Sequence, residues 1–600
     1  MPPSRQNNNR KKGVIGLDVG TTFSGASYGL TGTRSVSNRI EVEVVRGWPR
    51  ADGFGRSDNQ KVPTQLHYGV DGSIRWGYNI PDDAKRLEWF KLHFSDKAKL
   101  PKDVQNSPQL KKSQEMLDEM GIDADTAMAE YLKRLWNHTI EQFRRHRGAG
   151  LVDSIPFIVV LTVPAIWTET ARKRMREAAK RAGILDDRLP GVTKLQFISE
   201  PEAAAISSLY SELDDRPDVK KGTRFIVLDC GGGTVDLISY EVVQVTPEIK
   251  VKECTTGIGG LCGATFLDQA FSEYFLNIVD RRTWDRYSKS QQNEIMDKEW
   301  EKKIKRDFST TNTAPCIMHM PNGPITLRKK EVSNVFKKAM RPILGMVNDQ
   351  INSMAGEGDE ILEEDMPKFI ILVGGYGRCS FLYDYLQKEL DEDIDILQSQ
   401  GSRPWSAICR GAVLSVIKRK SLVGPVLQRK ARQSYGWTVE EDWDPKQHTD
   451  GVDEKKFDDV RGKNMAVNQF HWGIKAGDDI NSNVMSNPYH FAFPLGKKGH
   501  YKYHADIYKT QSPNLPTRLV PEDHDVQRVG GLDLDFPVRI EDLPTRNNEQ
   551  GEVIQVLDYV TKSTVNGDSF DIWAEYNGSG AGKLELEIDV SEHADKDDGR

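Results

Sequence analysis

Two stretches of this 600-residue chain share one plan suited to holding a polyphosphate. In 16-GLDVGTTFSGASYGL-30 an apolar run ends in Asp18, turns through Gly20, Thr21 and Thr22, and leaves by Phe23 into a second strand-like run. In 225-FIVLDCGGGTVDLISY-240 an apolar run ends in Asp229, turns through Gly231, Gly232, Gly233 and Thr234, and continues past Asp236. Glycine lets backbone approach a ligand closely, so such a turn can aim several N–H groups at phosphate oxygens while threonine hydroxyls add donors. An aspartate at the strand end suits Mg²⁺ held mainly through its waters. One such segment alone reads equally as a plain β-hairpin turn. The second copy shifts the balance, because paired hairpins can clamp β- and γ-phosphates from both sides, with Asp18 and Asp229 sharing one metal and Asp236 near it. A third segment, 368-KFIILVGGYGRCSFLYDYL-386, leads an apolar strand through Gly374 and Gly375 into a helix, where a nucleoside could lie against bare backbone.

Those turns need strands to carry them. Residues 13 to 420 alternate strand-like runs with amphipathic segments, the pattern of an α/β protein with mixed sheets. Val14–Asp18, Phe157–Val163, Arg224–Asp229 and Lys368–Val373 read as buried central strands. Met128, Tyr131, Leu132, Leu135, Trp136, Ile140 and Phe143 fall on one helical stripe, with Asp125 placed as its cap. A second helix is expected from Thr168, its cap, to Ala182, with Ala171, Met175, Ala178 and Ala179 inward and Gly183 as its stop. After about 420 the periodicity changes to short alternating segments, Tyr501–Tyr508, Val553–Tyr559, Ser569–Tyr576 and Lys583–Val590, which predict an all-β, sandwich-like domain. Two acidic, Gly-containing stretches, about 439 to 464 and 592 to 600, read as mobile loop and charged tail.

Composition narrows the functions. Lys and Arg number 82 against 89 Asp and Glu, a net charge of -7, so no basic excess recruits nucleic acid. No apolar run reaches the roughly 18 residues of a spanning helix, so no membrane role is expected. The start, MPPSRQNNNRKK, is a polar, basic arm without the apolar core of a secretion signal, and the six cysteines form no C-x-x-C pair. A cytoplasmic location, or a nuclear one, is the expectation.

The three glycine-bearing segments resemble the phosphate 1, phosphate 2 and adenosine motifs of the superfamily of actin, the sugar kinases and the 70-kDa heat-shock ATPases. Between them, 159-VVLTVPAIWTETARKRMREAAKRAGI-184 and 198-ISEPEAAAISSL-209 resemble the heat-shock branch nearly residue for residue, and the wording around Trp76, Trp89 and Trp167 is similar to its divergent, fungal-type members. The resemblance implies an actin-like ATPase of two lobes built from ribonuclease H-like repeats. Lobe I would span 13–220 with an inserted subdomain at about 41–124. Lobe II would span 221–420 with an insertion at about 266–324, the chain returning to lobe I after about 400. A β domain at 431–591 would follow. It implies ATP or ADP with Mg²⁺, Asp18 and Asp229 as magnesium-water carboxylates, Thr21, Thr22 and Thr234 as phosphate contacts, and Glu200 as the carboxylate that orients the attacking water. A lysine reaching the γ-phosphate is implied too, and Lys85 and Lys91 both qualify. For the nucleoside the resemblance offers Gly374, Gly375, Tyr376 and Arg378, and, in 299-EWEKKIKRDFS-309, Glu301 and Lys305, although the register there is off by one residue. Tyr376 and Trp405 stand where the family has a serine and an acidic residue, 256-TGIGGLCGATFLD-268 lacks the acid that follows its paired glycines, and 418-KRKSLVGPVLQRKARQSYG-436 is basic where the family's linker is acidic. The resemblance implies slow ATP hydrolysis that gates lobe closure, with unfolded or extended polypeptide as partner of the β domain. A nucleotide-sensing scaffold with little hydrolysis and a sugar-type small-molecule kinase remain as alternatives.

Overall fold

The computed structural model describes residues 11–32, 41–51, 55–94, 105, 107–165, 167, 169–213, 216–246, 248–309, 311, 315–354, 365–398, 403–417, 425–480, 485–512, 514–520, 525–566 and 569–587. The chain divides into two compact units, Met1–Leu427 and Gln428–His593. Among the described residues no helix is long and apolar enough to cross a membrane.

The first unit is built on two sheets of one plan. Strands β1 (Gly13–Val19), β2 (Phe23–Leu30), β3 (Lys61–Pro63), β4 (Phe157–Val163) and β5 (Lys194–Ser199) form the first, in the order β5-β4-β1-β2 with β3 also on β2. Strands β6 (Arg224–Cys230), β7 (Val235–Gln244), β8 (Lys250–Glu253), β9 (Phe369–Val373) and β10 (Asp395–Gln398) belong to the second, where they follow the order β10-β9-β6-β7-β8. In each, an antiparallel hairpin (β1-β2, β6-β7) is flanked by two parallel strands (β4 and β5, β9 and β10). Asp18 and Asp229 therefore hold equivalent places, each at the end of the first hairpin strand. The parallel strands β4 and β9, FIVVLTV and FIILV, are almost entirely buried, which is why they read as unbroken apolar runs.

Five helices complete the frame of the site: α1 (Ala124–Arg147), α2 (Glu169–Arg181), α3 (Glu200–Ser211), α4 (Ala264–Val279) and α5 (Arg403–Ile417). Helices α3 and α5 lie in one core with inward residues of both sheets, among them Val14, Val160, Phe225, Val227, Phe369 and Ile371. Helix α5, late in the chain, returns to the first sheet, where the Ser27 hydroxyl donates to the Cys409 carbonyl at 2.6 Å.

One local detail differs from expectation, and a second is as expected where it is described. The cap of α1 is Asp123, which accepts from the Thr126 N–H at 2.7 Å, and Asp125 lies inside the first turn and pairs with Arg174 at 2.8 Å. Two acids two residues apart compete for one cap, and only the backbone path decides which is outside the helix. Helix α2 buries Ala171, Met175, Ala178 and Ala179 and ends at Gly183 with φ 80°, while Thr168 lies outside the described residues.

The second unit is a β-sandwich. One sheet takes the order 455–458, 463–474, 434–442, 500–510, 526–539 and the other 485–494, 553–566, 569–576, 579–587. Their facing residues, including Tyr435, Trp437, Leu532, Leu557 and Ile572, share one core. The stretch 439–464, expected to be loop, is loop and turn over 443–454 and 459–462 but also carries strand: Ser434–Asp442 and Lys455–Asp458 both pair with Lys463–Ile474. Its Lys455–Asp458 strand is mostly exposed, so it needs few apolar residues and gave no strand-like pattern. Tails 1–10 and 588–600 and linker residues 418–424 lie outside the described residues.

Candidate functional site

The turns of the two hairpins meet. A side chain added at Gly232 would place its Cβ 2.1 Å from Thr22 Oγ1, and one at Gly233 2.6 Å from Thr21 Oγ1, so only glycine lets the second turn lie this close to the first. The second turn is held from behind by α4. Backbone N–H groups of Gly263, Ala264 and Thr265, orphaned at the start of that helix, donate to the carbonyls of Gly233, Gly231 and Gly232 at 3.1, 3.1 and 2.9 Å. The segment that lacks the expected acid thus fixes the glycine turn through its backbone.

A cleft of about 940 Å³ opens over both turns, a volume that suits a nucleotide. It is lined by Asp18, Gly20, Thr21, Thr22, Phe23, Lys91, Glu200, Asp229, Gly231, Gly232, Gly233, Thr234, Glu301, Lys305, Gly374, Gly375, Tyr376 and Arg378, so most of the residues singled out by sequence converge here. Lys85 does not. It sits on an exposed turn and its ammonium pairs with Glu119 at the surface. Lys91 is the lysine of the cleft: its Nζ donates to Glu200 Oε1 at 2.7 Å with both side chains buried. Its neighbours in the turn Phe90–Phe94 are buried apolar residues, and the Trp167 ring lies 5.5 Å from the ammonium. Glu200 is the first residue of α3, capped by Ser199, whose hydroxyl accepts the Glu202 N–H at 3.3 Å. That position fixes the carboxylate at the positive end of a helix.

Lys61 is the residue that sequence reasoning missed. Its Nζ donates to Asp18 Oδ2 at 2.6 Å, again between buried side chains, while the Thr162 hydroxyl donates to Asp18 Oδ1 at 3.3 Å. Lys61 lies in the three-residue strand β3, and only the pairing of β3 with Gly25 of β2 brings it beside Asp18. Burial opposes its charge, but the Asp18 carboxylate outweighs burial and holds the ammonium above its ordinary pKa.

The second hairpin carries the opposite imbalance. Asp229 and Asp236 are cross-strand partners of β6 and β7, and the buried oxygens Asp229 Oδ1 and Asp236 Oδ2 have no hydrogen-bond partner. Asp236 lies outside the cleft lining, and its Oδ1 accepts from the Ala165 N–H at 3.3 Å. Burial, with the nearby Glu200 charge second, pushes the Asp236 carboxyl up to about 7 and Asp229 well above the carboxylate range. Burial also raises Glu200, against the pull of Lys91. The orphaned carboxylate oxygens of this cross-strand pair fit a hydrated divalent cation, which takes oxygen ligands and supplies the missing charge. Gly374, with φ 81°, packs against Asp229 so closely that a Cβ there would stand 2.4 Å from Asp229 Oδ1.

At the nucleoside end, Arg378 lies 5.6 Å from the Trp405 ring, which meets Phe23 edge-on at 5.5 Å. The off-register helix proves to be π-helical from Met296 to Ile304, a winding that accommodates one extra residue. It leaves Glu301 paired with Lys305 at 2.6 Å, and Lys305 also binds Asp268 at 2.8 Å. In the β unit, Tyr501 and Tyr503 pack on Phe491 at 4.8 and 4.9 Å, and Trp472 stacks on Phe470 at 4.7 Å, so these aromatics serve packing.

Comparison with known proteins bears on the family of the chain. The chain is 24% identical over 486 residues to heat shock 70 kDa protein 12A of Mus musculus, covering 67% of this chain and 69% of the relative. It is 26% identical over 324 residues to heat shock 70 kDa protein 12B of Homo sapiens, 44% of this chain and 45% of that protein, so the match spans under half of that relative. Chaperone protein DnaK of Thermoplasma volcanium is 24% identical over 411 residues, 67% of this chain and 57% of the relative. A domain of unknown function, DUF8568, matches residues 429–519. The Hsp70 protein family model matches residues 97–416, more than half of the chain, which therefore belongs to the Hsp70 family, with an actin-like ATPase domain followed by a β-rich region.

Proposed function

We propose that this protein binds ATP in the cleft between its two glycine turns, hydrolyses it slowly, and uses the bound nucleotide to set the closure of the lobes. The observation that carries this reading is the meeting of the two turns over Asp18, Asp229 and the buried Lys91–Glu200 pair. The turns offer backbone N–H groups and the hydroxyls of Thr21, Thr22 and Thr234 to the phosphates. Lys91 approaches them from lobe I, and Glu200, held by Lys91, orients the water that attacks the terminal phosphorus. Asp229 and Asp236 would hold Mg²⁺ through its waters, with Asp18 on the facing hairpin, and the bound ion supplies charge neutralisation for phosphoryl transfer. Arg378, Tyr376 and the Gly374–Gly375 turn receive the nucleoside, with Glu301 and Lys305 across the cleft. Loss of the terminal phosphate removes the group that draws the hairpins together, an ordered-to-relaxed switch. The role that follows is chaperone-like and cytoplasmic, with extended polypeptide as the partner of the β-sandwich.

A second reading, a nucleotide-gated scaffold with little turnover, draws on Tyr376 and Trp405 at the nucleoside end and on a water-orienting carboxylate already engaged by Lys91. Single-turnover phosphate release from Mg·ATP separates the two. Slow release by the wild type, reduced roughly 100-fold or more in Glu200→Gln with ATP affinity retained, supports hydrolysis. Tight binding without release supports the scaffold, and absence of nucleotide binding refutes both.

A further inference from the structure

The two faces of the cleft floor are charged differently. On the lobe I side each buried carboxylate has its own lysine, Asp18 with Lys61 and Glu200 with Lys91, at 2.6 and 2.7 Å. On the lobe II side Asp229 and Asp236 each have a buried oxygen with no partner. A divalent cation satisfies orphaned carboxylate oxygens, and lobe II is where they are. Lobe I presents an ammonium where the sequence offered Asp18 as an equal ligand of the metal.

We propose that Lys61 is a resident cation of the phosphate site, carried by Asp18, so that this chain binds adenine nucleotide phosphates with only a weak requirement for Mg²⁺. The inference rests on the nucleotide reading above and concerns how the phosphate charge is met. An ammonium has three donors and Asp18 takes one, which leaves donors for a phosphate oxygen without breaking the pair. Lysine suits the task as a compact, strongly charged group on a long stem. That stem is fixed: it lies against Gly25 of the first hairpin, where an added Cβ would come within 3.3 Å of Lys61 Cγ. Lys61 lines the same cleft as Thr21 and Thr22, so its charge stands beside the turn that would receive the phosphates. Lys91 reinforces it from the neighbouring Glu200. The metal then serves Asp229 and Asp236, and its removal leaves two lysines facing the phosphates.

Equilibrium affinity of the full-length chain for ATP and for ADP, measured by titration calorimetry in Mg²⁺ and again in excess EDTA, tests this directly. The wild type is expected to lose no more than roughly 10-fold in affinity when Mg²⁺ is removed. Lys61→Met is expected to widen that gap by at least about 10-fold, mainly through weaker binding in EDTA. Because Lys61→Met strands the Asp18 charge in the interior, the pair variant Asp18→Asn/Lys61→Met, whose floor is neutral at that point, is measured alongside and must show the same widened gap. Wild-type binding that is present in Mg²⁺ and abolished by EDTA overturns the inference and leaves the nucleotide reading intact. So does an unchanged Mg²⁺ dependence in the variants. No binding in either buffer overturns both.

Discussion

Replacing Lys91 with Met keeps the length of the stem and removes the ammonium from Glu200, and the consequence can be worked from the structure. Lys91 and Glu200 are 4% and 6% exposed and 2.7 Å apart, so the pair is largely withdrawn from water. Removing one member of such a buried pair leaves an uncompensated charge and typically costs about 3–5 kcal/mol. Glu200 has one escape, which is to take up a proton. Burial already raises its carboxyl while Lys91 lowers it, so without Lys91 it rises further. An acid whose folded pKa is raised favours the fold at low pH and loses that advantage as pH climbs through the folded value, by up to about 1.4 kcal/mol per pH unit. Lys91→Met should therefore be about 3 kcal/mol less stable than wild type at pH 7.5 and much closer to it at pH 5.5. Lys91→Met/Glu200→Gln, with no charge left to strand, should recover most of the loss at pH 7.5. Urea unfolding of the nucleotide-free chain at both pH values, for the wild type, both single variants and the pair, supplies the cycle. A Lys91→Met loss below about 1 kcal/mol that does not vary with pH, or a double variant no more stable than Lys91→Met, would refute the reasoning.

Lys85→Ala is the matching control: its pair with Glu119 is more than half exposed, so stability should change by no more than about 0.5 kcal/mol and nucleotide binding not at all, read by the same unfolding and titration experiments. The pH dependence of the unliganded wild type should carry the mark of Asp236, whose carboxyl rises from 3.8 to about 7. Stability falls as pH rises across that window, by at most about 4 kcal/mol, and Asp236→Asn should flatten the urea midpoint between pH 5 and pH 7. Gly374→Ala combines a left-handed φ of 81° with a Cβ 2.4 Å from both Asp229 Oδ1 and the Cys230 carbonyl, so a loss of roughly 3 kcal/mol or more is expected, with weakened ATP binding. Gly375→Ala meets only the Trp405 indole, Nε1 at 3.4 Å being the nearest atom, and should fold nearly as well as the wild type, which thermal unfolding of the two variants side by side would check.

The sequence by itself determined the parts whose chemistry is local. A strand that ends in Asp and enters a glycine turn has few alternatives, so Asp18, Asp229 and both turns were legible, as were the runs that became β4 and β9, because burial on both faces leaves an unbroken apolar signature. Glu200 was offered only by the resemblance of 198-ISEPEAAAISSL-209, and the structure places it as the first residue of α3 behind the Ser199 cap. What only the tertiary structure decided is which charge meets which. Lys85 and Lys91 are six positions apart and equally lysine. One becomes the partner of Glu200 because Phe90, Leu92 and Phe94 turn inward around it, a property of where the chain packs. Asp123 rather than Asp125 caps α1 for a similar reason, and the π-helical winding that absorbs the extra residue before Lys305 leaves no trace in composition. Lys61 was invisible altogether. Its strand has three residues and no motif, and its partner Asp18 lies 43 positions away, joined to it only when β3 pairs with β2. Electrostatic pairing depends on distance in space, which falls out of the fold, whereas turn chemistry and burial depend on neighbours in the chain, which are written in the sequence.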